Sequence, residues 1–66
     1  MEMVRVSSSA IAAVGYDPVT KHMKIRFTQG HTYDFCRAPE RVFTAFMKAR
    51  SKGTYYNDCI KDRYPC

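Results

Sequence analysis

His22-Met23-Lys24-Ile25-Arg26-Phe27 alternates polar and apolar side chains without a break. A period of two marks a half-buried β-strand, and no other stretch limits the fold of this chain so strongly. Met23, Ile25 and Phe27 face one side; His22, Lys24 and Arg26 face the other. Thr32-Tyr33-Asp34-Phe35 alternates too, and Thr28-Gln29-Gly30 lies between the two runs. Loop length sets the register of such a hairpin. A two-residue Gln29-Gly30 loop would put Tyr33 opposite Arg26, on the charged side. A three-residue loop sets Phe27 opposite His31, Ile25 opposite Tyr33, Met23 opposite Phe35 and Lys24 opposite Asp34. Only the second register gathers the apolar residues on one face, and a slip by one residue would invert every side chain. It also places Gly30 where a type I turn followed by a bulge requires positive φ.

The chain has 66 residues, which specify one domain over 1–66. A domain of this size buries only about 60% of the surface its unfolded chain exposes. Its main apolar resource is aromatic, with five Tyr, four Phe and no Trp.

Upstream, residues 1–6 read as a loose or edge segment, and Ser7-Ser8-Ser9 as a turn. No His-Asp pattern accompanies these serines, so a nucleophile is not indicated. Ala10 to Tyr16 reads as the first strand, though its inner face stays open, because Ile11 and Ala13 oppose Ala12, Val14 and Tyr16. Asp17-Pro18 suits a type I turn, with Asp capping local amides and Pro presetting φ.

After Phe35 the period changes. Pro39 and Glu40 suit a first helical turn. Val42, Phe43, Phe46, Met47 and Ala49 recur at three and four residues, as on an amphipathic helix. Its stripe needs an apolar partner, and the Met23/Ile25/Phe27/Tyr33/Phe35 face is the one large candidate. Ser51-Lys52-Gly53 reads as the break, with Ser51 a cap for the next helix. Tyr55 to Lys61 reads as that second, short helix, with Tyr56 and Ile60 on one face. The expected fold is α+β: a three-stranded antiparallel meander with one longer and one short C-terminal helix packed on one face.

Eleven Lys and Arg against six Asp and Glu give a net charge of +5. That balance favours anionic partners, nucleic acid first and acidic protein surfaces second. The three cysteines are odd in number and form no C-x-x-C, so neither a disulfide framework nor a zinc site is expected. Cys36 and Cys59 read as small buried apolar groups. No apolar run reaches membrane-spanning length, and the expected setting is cytoplasmic and reducing. His22, His31 and the cysteines lack ligand spacing, so no metal and no cofactor are expected. The acids are scattered, so the chain is not expected to be an enzyme.

Two basic stretches are candidate nucleic-acid contacts. Lys24 and Arg26 project from the outer sheet face, where a solvated face with Lys24 paired to Asp34 is the simpler reading. Lys48, Arg50 and Lys52, with Tyr55, Asn57, Lys61 and Arg63 after them, span a helix end, a glycine turn and a helix start. Free amides at that start could hold a phosphate beside Lys52. Structural capping by Ser51 and a structural Asn57 are the alternative. The chosen register turns Tyr33 and Phe35 to the core, which counts against base stacking on the sheet.

The order Ser8-Ser9, Ile11, Gly15-Tyr16-Asp17-Pro18, Phe27, Gly30, Tyr33-x-Phe35, Pro39-Glu40, Ser51-Lys52-Gly53-x-Tyr55-Tyr56-Asn57-x-x-Ile60, Tyr64-Pro65 resembles the KTSC domain family. The family takes its name from the C-terminal end of certain lysyl-tRNA synthetases, and also occurs alone in bacterial and phage proteins. The resemblance spans residues 5 to 65. Where the family carries Tyr-x-Tyr, this chain has Tyr33-Asp34-Phe35, and the register makes position 35 core. The resemblance implies RNA binding. The leading expectation is binding of nucleic acid, RNA before DNA, through phosphate contacts. The alternative is a protein-interaction module, such as a phage or prophage accessory docking on a host or bacterial protein. Self-association through an uncovered sheet edge is a third.

Overall fold

The computed structural model describes residues 1–66. Four strands form one antiparallel sheet in chain order: β1 (Met3–Arg5), β2 (Ile11–Asp17), β3 (His22–Phe27) and β4 (Thr32–Phe35). Two helices come next, α1 (Glu40–Lys48) and α2 (Lys52–Tyr55), the latter continuing into a π-helical turn, Tyr56–Ile60. The fold is α+β, as the alternation and the helical stripe require. The sheet has one strand more than expected. The segment read as loose or edge contributes β1, whose three residues are too few to carry a periodic signal.

The β3–β4 hairpin has the register that gathers the apolar side chains. Met23 pairs with Phe35, Lys24 with Asp34, and Ile25 with Tyr33. Phe27 donates its N–H to His31 O at 2.8 Å, so the loop is Thr28-Gln29-Gly30. Gly30 sits at φ 107°, and its N–H closes the turn on Phe27 O. At the β2–β3 turn, Asp17 Oδ1 accepts the N–H of Val19 at 2.9 Å, and Lys21 N–H bonds back to Asp17 O. Ser8 Oγ accepts the N–H groups of Ala10 and Ile11, which makes the serine run a turn.

Strand β2 runs one residue beyond the expected Tyr16, and its inner face is set by a bulge. Pairing shifts between Ile11 and Ala13, so Ala12 is the extra residue. The bulge puts Ile11 and Val14 on the same side despite their odd spacing, and both are fully buried. The core joins them to Met23, Ile25, Phe35, Ala38, Phe46 and Ile60. The helices therefore cover one face of the sheet only.

The second helical segment starts three residues earlier than expected. Ser51 is its N-cap, its Oγ accepting from Thr54 N–H at 3.4 Å. The break falls at Ala49, whose backbone is extended, and not at Gly53, which lies inside α2. A Cβ on Gly53 would meet Ala10 Cβ at 3.5 Å, an ordinary contact, so α2 lies against the loop before β2 without requiring a glycine there. The cysteine expectation is also corrected: Cys36 and Cys66 form a disulfide, and only Cys59 is free. An odd count hid this pair, since the fold brings the chain end back to the end of β4. No helix is long and apolar enough to cross a membrane.

Candidate nucleic-acid interface

The outer sheet face follows from the register. Arg5, Ala13, Arg26 and Thr32 form one row across the four strands; Met3, Gly15, Lys24 and Asp34 form the next. Met3 lies over Gly15, where a Cβ would come within 2.7 Å of its Sδ. Asp34 gathers two neighbours: its Oδ1 is 3.0 Å from His22 Nε2, a hydrogen bond, and 3.7 Å from Lys24 Nζ, an ion pair. The His22 hydrogen bond, and then Lys24, hold the Asp34 carboxyl below the usual carboxylate range. Lys24 is thus partly neutralised, in the pairing the sequence suggested. Arg26 is exposed without a carboxylate partner, and Arg5, absent from the sequence-level candidates, shares its row.

The helical candidates lie on the other side of the sheet and do not join Lys24 and Arg26 in one patch. Lys48 and Arg50 are exposed at the end of α1 and in the break after it. Lys52 is half-buried and donates from Nζ to Ala49 O at 3.1 Å, closing the end of α1. Tyr55 is structural: its ring stacks on Phe46 at 5.7 Å and its hydroxyl reaches Val42 O at 3.5 Å. Asn57 and Arg63 are exposed, and neither side chain makes a hydrogen bond within the chain. Lys61 belongs elsewhere, at the open edge of β4.

That edge carries the molecule's one cavity, about 270 Å³. Tyr33, Phe35, Tyr56 and Tyr64 give it aromatic walls, and Lys61 and Asp62 stand at its rim. Tyr33 is on the core face, as the register requires, yet 48% of its surface is exposed. Strand β4 is the last in the sheet, so nothing lies beyond it to cover the ring. Phe27 meets Tyr33 edge-on at 5.5 Å, and His31 lies beside it at 6.2 Å. Tyr56 packs edge-on against Phe27 and Phe35. Burial raises the Tyr56 phenol above its ordinary range, with Asp62 and Tyr33 adding to the effect. The cavity wall is closed by the C-terminal segment, which Cys36 N–H holds through Tyr64 O at 2.9 Å and which the disulfide ties to the same residue. Sequence reasoning missed Tyr33, Tyr56 and Tyr64 as a group. The available signal was the position of Tyr33 on a terminal strand.

Fold and surface together define a small basic α+β domain with one bare sheet face and an aromatic cleft at a sheet edge. The chain belongs to the KTSC domain family, whose model matches residues 7–64. A protein of Tsukamurella paurometabola is 42% identical over 62 residues, covering 94% of this chain and 92% of that one. A lysine–tRNA ligase of a Nostoc species is 29% identical over 62 residues, spanning 94% of this chain but 11% of the ligase. The crystal structure of a KTSC domain protein from Yersinia pestis superposes with a TM-score of 0.93 at 38% identity, covering 96% of this chain and 89% of that one.

Proposed function

We propose that this KTSC domain is a non-enzymatic nucleic-acid-binding domain that prefers RNA to DNA and holds it mainly through phosphates. The observation that carries this reading is the set of unpaired cations. Of the eleven Lys and Arg, only Lys24 lies within salt-bridge distance of a carboxylate. A surface with that surplus attracts polyanions and releases their counterions on binding. The ligase relative supports RNA over DNA, because its name states tRNA as its substrate. The same reading places the protein in the cytoplasm, where the Cys36–Cys66 pair is open to reduction.

The test is titration of single- and double-stranded RNA and DNA at two salt concentrations. Affinity should fall steeply with salt and rank RNA first. Absence of binding at low salt, or affinity indifferent to salt, removes the reading. One observation favours an interaction module instead: the free edge of β4 beside the exposed Tyr33. A protein partner retained at high salt would support that alternative.

A further inference from the structure

Tyrosine hydroxyls divide the molecule in two. Tyr16 donates to Ala38 O at 2.6 Å and Tyr55 to Val42 O at 3.5 Å. The other three, Tyr33, Tyr56 and Tyr64, all line the cleft, and none of their hydroxyls has a partner within the chain. Lys61 and Asp62 at the rim are likewise free of ion pairs. The cleft therefore combines aromatic walls with three unused hydroxyls, the Lys61 ammonium and the Asp62 carboxylate; Asp34 also lines it, with its carboxylate shared by His22 and Lys24. Asp62 is held by a left-handed backbone, φ 63°, in the turn after the π-helical segment.

The edge of β4 adds a further recognition element. Phe27 and His31 share a hydrogen-bonded pair, so alternation turns the amide groups of Thr32 and Asp34 outward. Cys36 has the same parity, and its N–H does point outward, to Tyr64 O. The Asp34 amide thus offers one donor and one acceptor at the cleft wall.

We infer that this cleft takes one unstacked nucleobase of a single-stranded nucleic acid, with Lys61 on the adjoining phosphate. The inference rests on the nucleic-acid reading above and names the site within it. Aromatic rings stack on any base, and free hydroxyl, carboxylate and amide groups read its edge. An extended peptide suits the place less well. Strand addition needs a run of open edge, but Tyr64 closes the Cys36 end and leaves only Thr32 and Asp34 unpaired.

Four ligands at matched salt separate the outcomes: a single-stranded RNA, the same sequence as a duplex and a free mononucleotide by fluorescence anisotropy, and an acidic peptide by amide exchange. The wild-type chain should prefer the single strand. Tyr33→Leu keeps an apolar side chain over Phe27 but removes the ring, and should weaken single-strand binding by about tenfold or more while sparing the duplex. Tyr33→Phe should retain the preference. Circular dichroism checks that both variants are folded, and a shift of the Tyr33 ring resonances on RNA addition in NMR gives a second readout. Equal single-strand and duplex affinity, unmoved by Tyr33→Leu, overturns the cleft while leaving phosphate binding intact. No binding of any nucleic acid overturns the functional reading itself. A mononucleotide that binds as tightly as the strand assigns the cleft to the free ligand and overturns the strand. Edge amides of β4 protected by an acidic peptide but not by RNA would assign it to strand addition and likewise overturn the inference.

Discussion

Tyr16 of β2 lies flat on Phe43 of α1, with ring centroids 4.9 Å apart and planes 10° from parallel. Its hydroxyl then passes the ring and donates to Ala38 O at 2.6 Å, in the segment between β4 and α1. One side chain thus ties three parts of the fold together. Tyr16→Phe should lose the hydrogen bond alone, about 1 kcal/mol in urea unfolding. Tyr16→Ala should lose the stack too, about 3 kcal/mol or more. Equal costs would mean that the hydroxyl, not the ring, fastens the helix.

Two glycines should respond in opposite directions. Gly30 has open space around it but a φ of 107° that L side chains rarely adopt. Gly30→Ala should therefore destabilise by about 1–2 kcal/mol from backbone strain. Gly53 lies inside α2, where an added methyl meets Ala10 at ordinary contact distance. Gly53→Ala should stabilise by about 0.5–1 kcal/mol. Thermal melts of the two variants, run side by side, should bracket the wild type.

The Cys36–Cys66 bond closes a loop with a sequence separation of 30. A cross-link of that span restricts the unfolded chain by about 3 kcal/mol. Reductant should lower the melting temperature by on the order of 10–20 °C in so small a domain. Cys66→Ser should melt at the reduced value and ignore reductant. A wild-type Tm unmoved by reductant would place the bond outside the cooperative unit.

Stability should fall on both sides of neutrality, for different groups. The carboxyls of Asp17, bonded first by Val19 N–H, and of Asp34, bonded first by His22, sit below their ordinary range. A lowered folded pKa contributes stability above the unfolded value and loses it as pH falls through the folded one. Asp34→Asn should flatten the acid limb of the stability profile. The Tyr16 phenol is raised, first by burial and then by Glu40 and Asp17. Its contribution is complete below the ordinary phenol range and is lost as pH rises through the folded value, so Tyr16→Phe should make the alkaline limb shallower and leave the share of Tyr55 and Tyr56, whose phenols burial also raises. Asp34 is exposed and Asp17 only half-buried, so solvent screens both carboxylates and the acid-side effect should be small.

The two cations of β3 should separate in nucleic-acid binding. Arg26 has no carboxylate partner, whereas Lys24 shares Asp34 with His22. Arg26→Ala should weaken binding to all sequences and reduce the salt slope by about one. Lys24→Ala should change it less. The reverse order in a salt titration would mean that the Asp34 contact opens on binding.

The hairpin was legible because three constraints agreed: alternation, one glycine at the turn and one charge pair at Lys24–Asp34. The α1 stripe was legible because apolar residues recur at three and four positions behind a Pro39-Glu40 start. Strand β1 was not, since three residues carry no period. The inner face of β2 was ambiguous in the sequence because a bulge at Ala12 breaks parity, and local spacing cannot announce a bulge. The second helix begins at Lys52 because Ser51 supplies a cap, which outweighs the weak helix preference of Gly53 that argued locally for a break. The candidate residues Lys52 and Tyr55 also have structural contacts that spacing could not show: Lys52 closes the end of α1 and Tyr55 packs on Phe46. The register placed Tyr33 correctly on the apolar face. What it could not convey was that a terminal strand leaves that face uncovered at its margin, so the exposed ring emerged only with the sheet order.

Strand order and chain order coincide in this sheet. Each hairpin therefore closes between immediate neighbours, and no pairing must wait for a distant segment to cross the sheet. Low contact order of this kind favours rapid folding, with loop closures that cost little entropy. The long-distance steps are the docking of the helices on the sheet, which brings Gly53 to Ala10 and Ile60 into the core with Ile11, and the return of the last residues to Cys36. The meander can thus close from its own hairpins, whereas the wall of the cleft exists only once the last residues have reached Cys36.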